Sequence, residues 1–102
     1  MARFDVYRFA SKAAPLLVDV QADLLGELSS RVVVPLAPVA KAGNEELPRL
    51  KPKIEIGGKY YILMTTDIGV VPVASLGKLT GNIEDEHRYE ITAALDFLFQ
   101  GF

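Results

Sequence analysis

Apolar and polar residues alternate with a period of two along most of this chain, and with a period of three to four only near its end. Phe4, Val6, Tyr7 and Phe9 make residues 3–9 a β-rich opening segment. Leu16-Leu17-Val18-Asp19-Val20-Gln21 predicts the next strand, with Leu16, Val18 and Val20 on one face and Leu17, Asp19 and Gln21 on the other. Pro15 closes the loop between them, and the two strands read as an antiparallel pair. Arg31-Val32-Val33-Val34-Pro35-Leu36 is a continuous apolar run, expected as a strand buried on both faces, with Pro35 at its end or its missing N–H on an edge. Residues 52–56 and 59–66 flank Gly57-Gly58, a two-residue hairpin signal. On the returning strand Tyr60, Ile62 and Met64 share one face, and Tyr61, Leu63 and Thr65 the other. Val70-Val71-Pro72-Val73 is interrupted by proline and reads as an edge or crossing piece, while Gly77 and Gly81 mark a loose connection.

The period changes at the end. Ile91, Ala94, Leu95, Leu98 and Phe102 draw an apolar stripe at helical spacing, whereas Phe97 and Phe99 lie off it. Asn82 is a candidate N-cap with Asp85 three residues on, Asp85 itself competes for that position, and Glu84, Asp85 and Glu86 suit the positive end of a helix dipole. Residues 37–51 are punctuated by Pro38, Gly43, Asn44 and Pro48, and their charges alternate in sign, which reads as solvated surface. The pattern alone leaves Leu24 and Leu25, before Gly26, open between core and surface. Short strands closing on a final helix predict a mainly β fold, a small, partly open β-barrel with a C-terminal α-helix, as one domain over 1–102. Aromatics on two faces of that helix call for a second surface to bury them.

Composition narrows the chemistry. The 102 residues contain no cysteine, which excludes disulfides, thiolate metal sites and a cysteine nucleophile. A net charge of −2 argues against phosphate-backbone binding as the main activity. No apolar run reaches membrane-spanning length and the start does not resemble a signal peptide, so the expectation is a soluble, cytoplasmic protein with no membrane partner. His87 is the one histidine and has no second ligand at a supporting spacing; no metal or cofactor is expected. Thr65-Thr66-Asp67 reads as strand positions followed by a turn acid. Asp19 places a carboxylate in an apolar strand, either on a solvated face or hydrogen-bonded at an interface.

Several blocks together resemble the CcdB family: Phe4-Asp5-Val6-Tyr7, Leu17-Val18-Asp19-Val20-Gln21-Ala22-Asp23, Val34-Pro35-Leu36, Met64-Thr65-Thr66-Asp67, Val71-Pro72-Val73 and the terminal Phe99-Gln100-Gly101-Phe102. They run collinearly over nearly the full chain. The resemblance implies the SH3-like partly open barrel of the CcdB/Kid-like toxins, and a homodimer with the helices near the twofold axis. It implies a non-enzymatic toxin of a type II toxin–antitoxin module, which binds the DNA gyrase A subunit and traps the gyrase–DNA cleavage complex. A CcdA-like antitoxin would neutralise it, and operator DNA would be bound only through the antitoxin complex. The implied gyrase-binding residues are Leu24, Leu25, Asp96, Phe99, Gln100, Gly101 and Phe102. The implied dimer interface takes Val70, Val71, Leu95, Leu98 and Phe99. The family ends on Trp-Gly-Ile; here Gln100 replaces the tryptophan, Phe102 the isoleucine, and Asp96 an asparagine. Two alternatives remain: a non-toxic homologue that only binds antitoxin, and an mRNA-cleaving toxin of the same superfamily drawing on Arg31, Arg49 and Asp67, which needs a basic groove and an acid–base set.

Overall fold

The computed structural model describes residues 1–25 and 27–102; Gly26 lies outside the described residues. Seven strands form one antiparallel sheet: β1 (Asp5–Arg8), β2 (Leu16–Asp19), β3 (Ser30–Pro38), β4 (Lys53–Ile56), β5 (Lys59–Leu63), β6 (Gly69–Pro72) and β7 (Leu79–Asn82). Their order is β4-β5-β3-β2-β1-β7, with β6 paired to β3 off that path. The sheet curls into a half-open, SH3-like barrel. A short helix α1 (Val39–Ala42) follows β3, and α2 (Glu84–Gln100) ends the chain.

The alternation expected for β2 holds. Val6, Leu16, Val18, Val34, Leu36, Ile54 and Leu63 pack with Ile91, Ala94 and Leu95 of α2 in one core. Each buried Leu, Ile or Val stabilises by about 1.5–3 kcal/mol, which is what seats α2 on the sheet. The other face is covered as well: Leu17, Asp19 and Gln21 are all buried, as are Tyr7 and Arg31. Ile62, Met64, Ala37 and Ala42 form a second small core, which explains why β5 is apolar on both faces.

Gly57 and Gly58 both have positive φ, 60° and 81°, as the tight β4–β5 hairpin requires. Of the two expected arrangements Pro35 does not take the strand end, because it sits in mid-strand opposite Leu17. Its carbonyl accepts the Met64 N–H at 2.9 Å, and N–H and C=O of one strand residue point the same way. The missing N–H therefore faces the place where β3 changes partner, from β6 over Ser30–Val33 to β5 over Leu36–Pro38. The Met64 carbonyl, which a strand N–H at residue 35 would meet, instead accepts the Asp67 N–H at 2.9 Å.

Three further expectations are corrected. The stretch around Gly77 and Gly81 is not a loose connection, because β7 pairs with β1 through a register shift between Val6 and Tyr7. Gly77 lies so close to β1 that a Cβ there would come within 2.7 Å of the Arg8 carbonyl oxygen. Thr65–Asp67 is a 3₁₀ turn rather than the end of β5. Phe102 does not continue the helical stripe: Gly101, in the left-handed region at φ 81°, donates its N–H to the Phe97 carbonyl at 2.9 Å and turns the chain off the helix. At the other end Asn82 Oδ1 accepts the Glu84 N–H at 2.9 Å, while its Nδ2 donates to Asp5 Oδ1 and to the Arg3 carbonyl. Asn82 thus ties the start of α2 to β1.

Candidate functional site: an exposed helix terminus and a braced loop

The last turn of α2 is built to present side chains outward. Ile91, Ala94 and Leu95 hold one face in the core, with Leu95 only 9% exposed. Leu95 therefore faces its own barrel. Asp96, Gln100 and Gly101 are exposed, and Phe99 and Phe102 are 70% and 77% exposed. Burial of one face seats the helix that carries Asp96, Phe99 and Gln100, and Gly101 and Phe102 lie just beyond its last turn. Leu98 is half-buried.

Phe102 lines a cleft of about 430 Å³ with Asp96, Ala93, Tyr89, Pro48 and Arg49. The Arg49 guanidinium lies 4.3 Å from the centroid of the Phe97 ring, a cation–π contact that accounts for one off-stripe aromatic. Tyr89 is 90% exposed on the same side. Tyr89, Ala93, Asp96 and Gln100 follow one another at spacings of four, three and four, so they share one helix face. Local sequence pattern does not single out Tyr89 or the packing of Arg49. The helical spacing could have found the first; nothing in the sequence pairs residue 49 with residue 97.

Leu24 and Leu25 sit in a 3₁₀ turn, Asp23–Leu25, with 92% and 47% exposure. They are surface, and what braces them is buried. The Leu25 carbonyl accepts from Gln21 Nε2 at 2.8 Å and from Arg31 Nη1 at 3.5 Å. Gln21 Oε1 accepts the Val32 N–H at 3.0 Å, and Asp19 Oδ1 accepts the Gln21 N–H at 2.9 Å. Asp19 Oδ2 and Arg31 Nε stand 2.7 Å apart with no exposed surface on either side chain. Asp19 therefore takes neither expected position; it is half of a buried ion pair. The pair and Gln21 hold the leucine turn against the sheet, and no hydrogen bond among the described residues joins this turn to the end of α2.

The same outer face shifts a tyrosine. Burial, then the charge and hydrogen bond of Asp5 (Tyr7 Oη to Asp5 Oδ2, 3.2 Å), push the Tyr7 phenol up to about 12 from 10.0, with Asp19 adding to the rise and Arg31 opposing it. A raised folded value means stability that is full below the unfolded value and lost as pH climbs through the folded one. Tyr7→Phe should therefore remove much of the stability loss seen between about pH 10 and 12, measured by urea midpoints across that range. An unchanged alkaline profile would refute this.

His87 contacts Glu90 Oε1 at 3.2 Å and the Glu55 carbonyl at 2.9 Å. Among the described residues no group of three or more metal-ligating side chains occurs. Of the set considered for RNA cleavage, Arg31 is buried in its ion pair, Arg49 lies on Phe97, and Asp67 ends a 3₁₀ turn on another element. Val70 and Val71 lie on β6, at the sheet's margin; Val70 is 66% exposed and Val71 half-buried. Among the described residues no helix is long and apolar enough to cross a membrane.

The half-open barrel, with α2 seated in it and that helix's end left bare, has the architecture of an SH3-like open barrel with a C-terminal helix. A family model described as CcdB protein matches residues 3–101, and the chain belongs to the CcdB family. Membership suggests the toxin of a toxin–antitoxin system.

Proposed function

We propose that the protein is a type II toxin that binds the DNA gyrase A subunit and traps the gyrase–DNA cleavage complex, and that a CcdA-like antitoxin neutralises it. One observation carries this reading: Asp96, Phe99, Gln100, Gly101 and Phe102 all lie bare at the end of a helix whose opposite face is locked in the core. Two large aromatics exposed at the end of a core-seated helix are costly in solution and well suited to enter a partner's pocket. The braced turn carrying Leu24 and Leu25 adds an apolar second contact. On this reading the protein acts by binding and not by catalysis.

The toxin works as a homodimer. Val70 pairs with Val32, whose side chain packs against the core, yet Val70 is 66% exposed, so a second copy has apolar surface to cover there together with Val71, Leu98 and Phe99. The experiment compares wild type with a Gly101–Phe102 deletion in a gyrase–DNA cleavage-complex assay, with light scattering on the same samples. Wild type should trap gyrase and scatter as a dimer; the deletion should remain dimeric and lose trapping. A deletion that traps gyrase as well as wild type sinks the contact surface, and a monomer at micromolar concentration sinks the dimer. A second reading, a homologue that binds only antitoxin, is favoured by Gln100 standing where the family has tryptophan; absence of trapping by wild type would support it.

A further inference from the structure

We propose that the cleft between the loop of residues 47–51 and the last turns of α2 is a subsite for a guanidinium, the head of an arginine side chain on a protein partner. Two segments far apart in the chain build it. The loop is closed on itself: Leu47 and Lys51 exchange backbone hydrogen bonds at 3.1 and 2.6 Å, which holds Pro48 and Arg49 at its tip. Arg49 stacks on the Phe97 ring and so fixes the tip against α2. Between tip and helix lies the cleft of about 430 Å³, with Tyr89 and Phe102 as aromatic walls and Asp96 beside them. Ala93 lines it too, and a larger residue there would fill it.

A second hollow of about 280 Å³ continues along the helix toward Arg88 and shares Tyr89, Ala93 and Asp96 with the first. These three follow at spacings of four and three, so they lie on one helix face. The Tyr89 ring and the Asp96 carboxylate therefore stand on either side of a methyl group. A flat cation lying over Ala93 meets both.

The charges around the cleft name its ligand. Arg88 is paired with Glu84 at 3.2 Å, Glu90 contacts His87 at 3.2 Å, and Arg49 covers Phe97. The ion pairs among the described residues leave Asp96 out. Tyr89 is 90% exposed and Phe102 77%. Two rings with unused π faces beside an unused carboxylate are the composition that holds a cation. The Arg49–Phe97 stack, at 4.3 Å, shows the same mode of contact within the protein, on the same helix. Arginine fits better than lysine, because a planar guanidinium lies flat on a ring and still donates two N–H groups to a carboxylate. An anion would be repelled by Asp96 and Glu90, and an apolar side chain would strip water from Asp96 without replacing it. The cleft adjoins the proposed gyrase contact, so assigning the arginine to gyrase rests on that reading, whereas the cation subsite does not.

The test titrates the full, isotope-labelled chain with N-acetyl-arginine N-methylamide, its lysine counterpart and its citrulline counterpart, the last a neutral copy of the arginine shape. The arginine compound should bind in the millimolar range and shift the amides of Arg49, Tyr89, Ala93, Asp96 and Phe102. The lysine compound should bind more weakly, and the citrulline compound not measurably. Tyr89→Ala and Asp96→Asn should each weaken the arginine compound by at least about threefold. The double variant should lose less than the product, because both groups hold one cation. Tyr60→Ala, which removes an exposed ring on β5, should change nothing. In the cleavage-complex assay Tyr89→Ala should lower trapping by about three- to fivefold, at an unchanged urea midpoint. Equal binding of the citrulline compound, full affinity in Tyr89→Ala, or shifts confined to other surfaces would each overturn the proposal. Probe binding by a protein that traps no gyrase would keep the subsite and remove gyrase as its partner. Gyrase trapping by a protein that ignores the probe, undiminished in Tyr89→Ala, would remove the subsite and keep gyrase.

Discussion

Arg31→Ala should lower the unfolding free energy by about 3–5 kcal/mol, the range for breaking a fully buried ion pair. That is a large share of the roughly 5–15 kcal/mol available to a domain. The substitution leaves the Asp19 carboxylate in a site with no exposed surface, where the Gln21 N–H is its one remaining hydrogen-bond donor among the described residues. It also removes a donor to the Leu25 carbonyl. One nitrogen of the guanidinium, Nη2, is buried without a partner among the described residues, and a buried pair of this kind often does no better than a well-packed apolar one. An apolar double replacement, Arg31→Met with Asp19→Leu, should therefore recover most of the loss. Urea midpoints for the two single variants and the double give the coupling directly. Equal stability of the double and the poorer single variant would contradict this account. The recovered double variant should still exchange the amides of the leucine turn faster than wild type. Its bracing came from the same guanidinium, and the barrel's packing does not replace it.

That ion pair marks the limit of what the sequence makes legible. Alternation in Leu16–Gln21 separates two faces correctly, because side chains on a strand must alternate. It does not say whether the second face meets water. Here that face is covered, and Asp19 and Arg31, twelve residues apart in the chain, satisfy each other there. The Gly57-Gly58 hairpin and the helix stripe through Ile91, Ala94 and Leu95 are local, and both are read from spacing alone. β7 is not: Gly77 and Gly81 carry no strand signal, and the segment becomes a strand only because β1 offers it an edge. The exposed residues at the end of α2 are legible as off-stripe aromatics, but Phe102 is not. Helical periodicity assumes the helix continues, and Gly101 ends it one residue earlier. The Arg49–Phe97 contact is tertiary and leaves no trace in local pattern.

Gln100→Trp should strengthen gyrase trapping by roughly five- to thirtyfold, with almost no effect on stability. Gln100 is the last residue of α2 and is exposed, and Gly101 turns the chain away immediately after it, so a larger side chain there meets no core. Surface changes of this kind stay within about 0.5 kcal/mol. The gain comes from the target. An amide can lie flat on a guanidinium and hydrogen-bond around it, but it has no π-face; an indole does, and a desolvated cation over it is worth about 1–2 kcal/mol, which is the stated factor. Asp96 lies one helical turn before Gln100 on the same face, so a target cation that stacks on residue 100 is also within reach of a carboxylate. On the proposed gyrase reading the negative charge should hold part of the affinity, and Asp96→Asn should cost more in wild type than in Gln100→Trp. Cleavage-complex titrations of the four combinations, with growth arrest as a second readout, measure this. Trapping by wild type that equals Gln100→Trp would show that no cation stacks at this position. Trapping by neither would show that the barrel and its bare terminus have been kept for another partner.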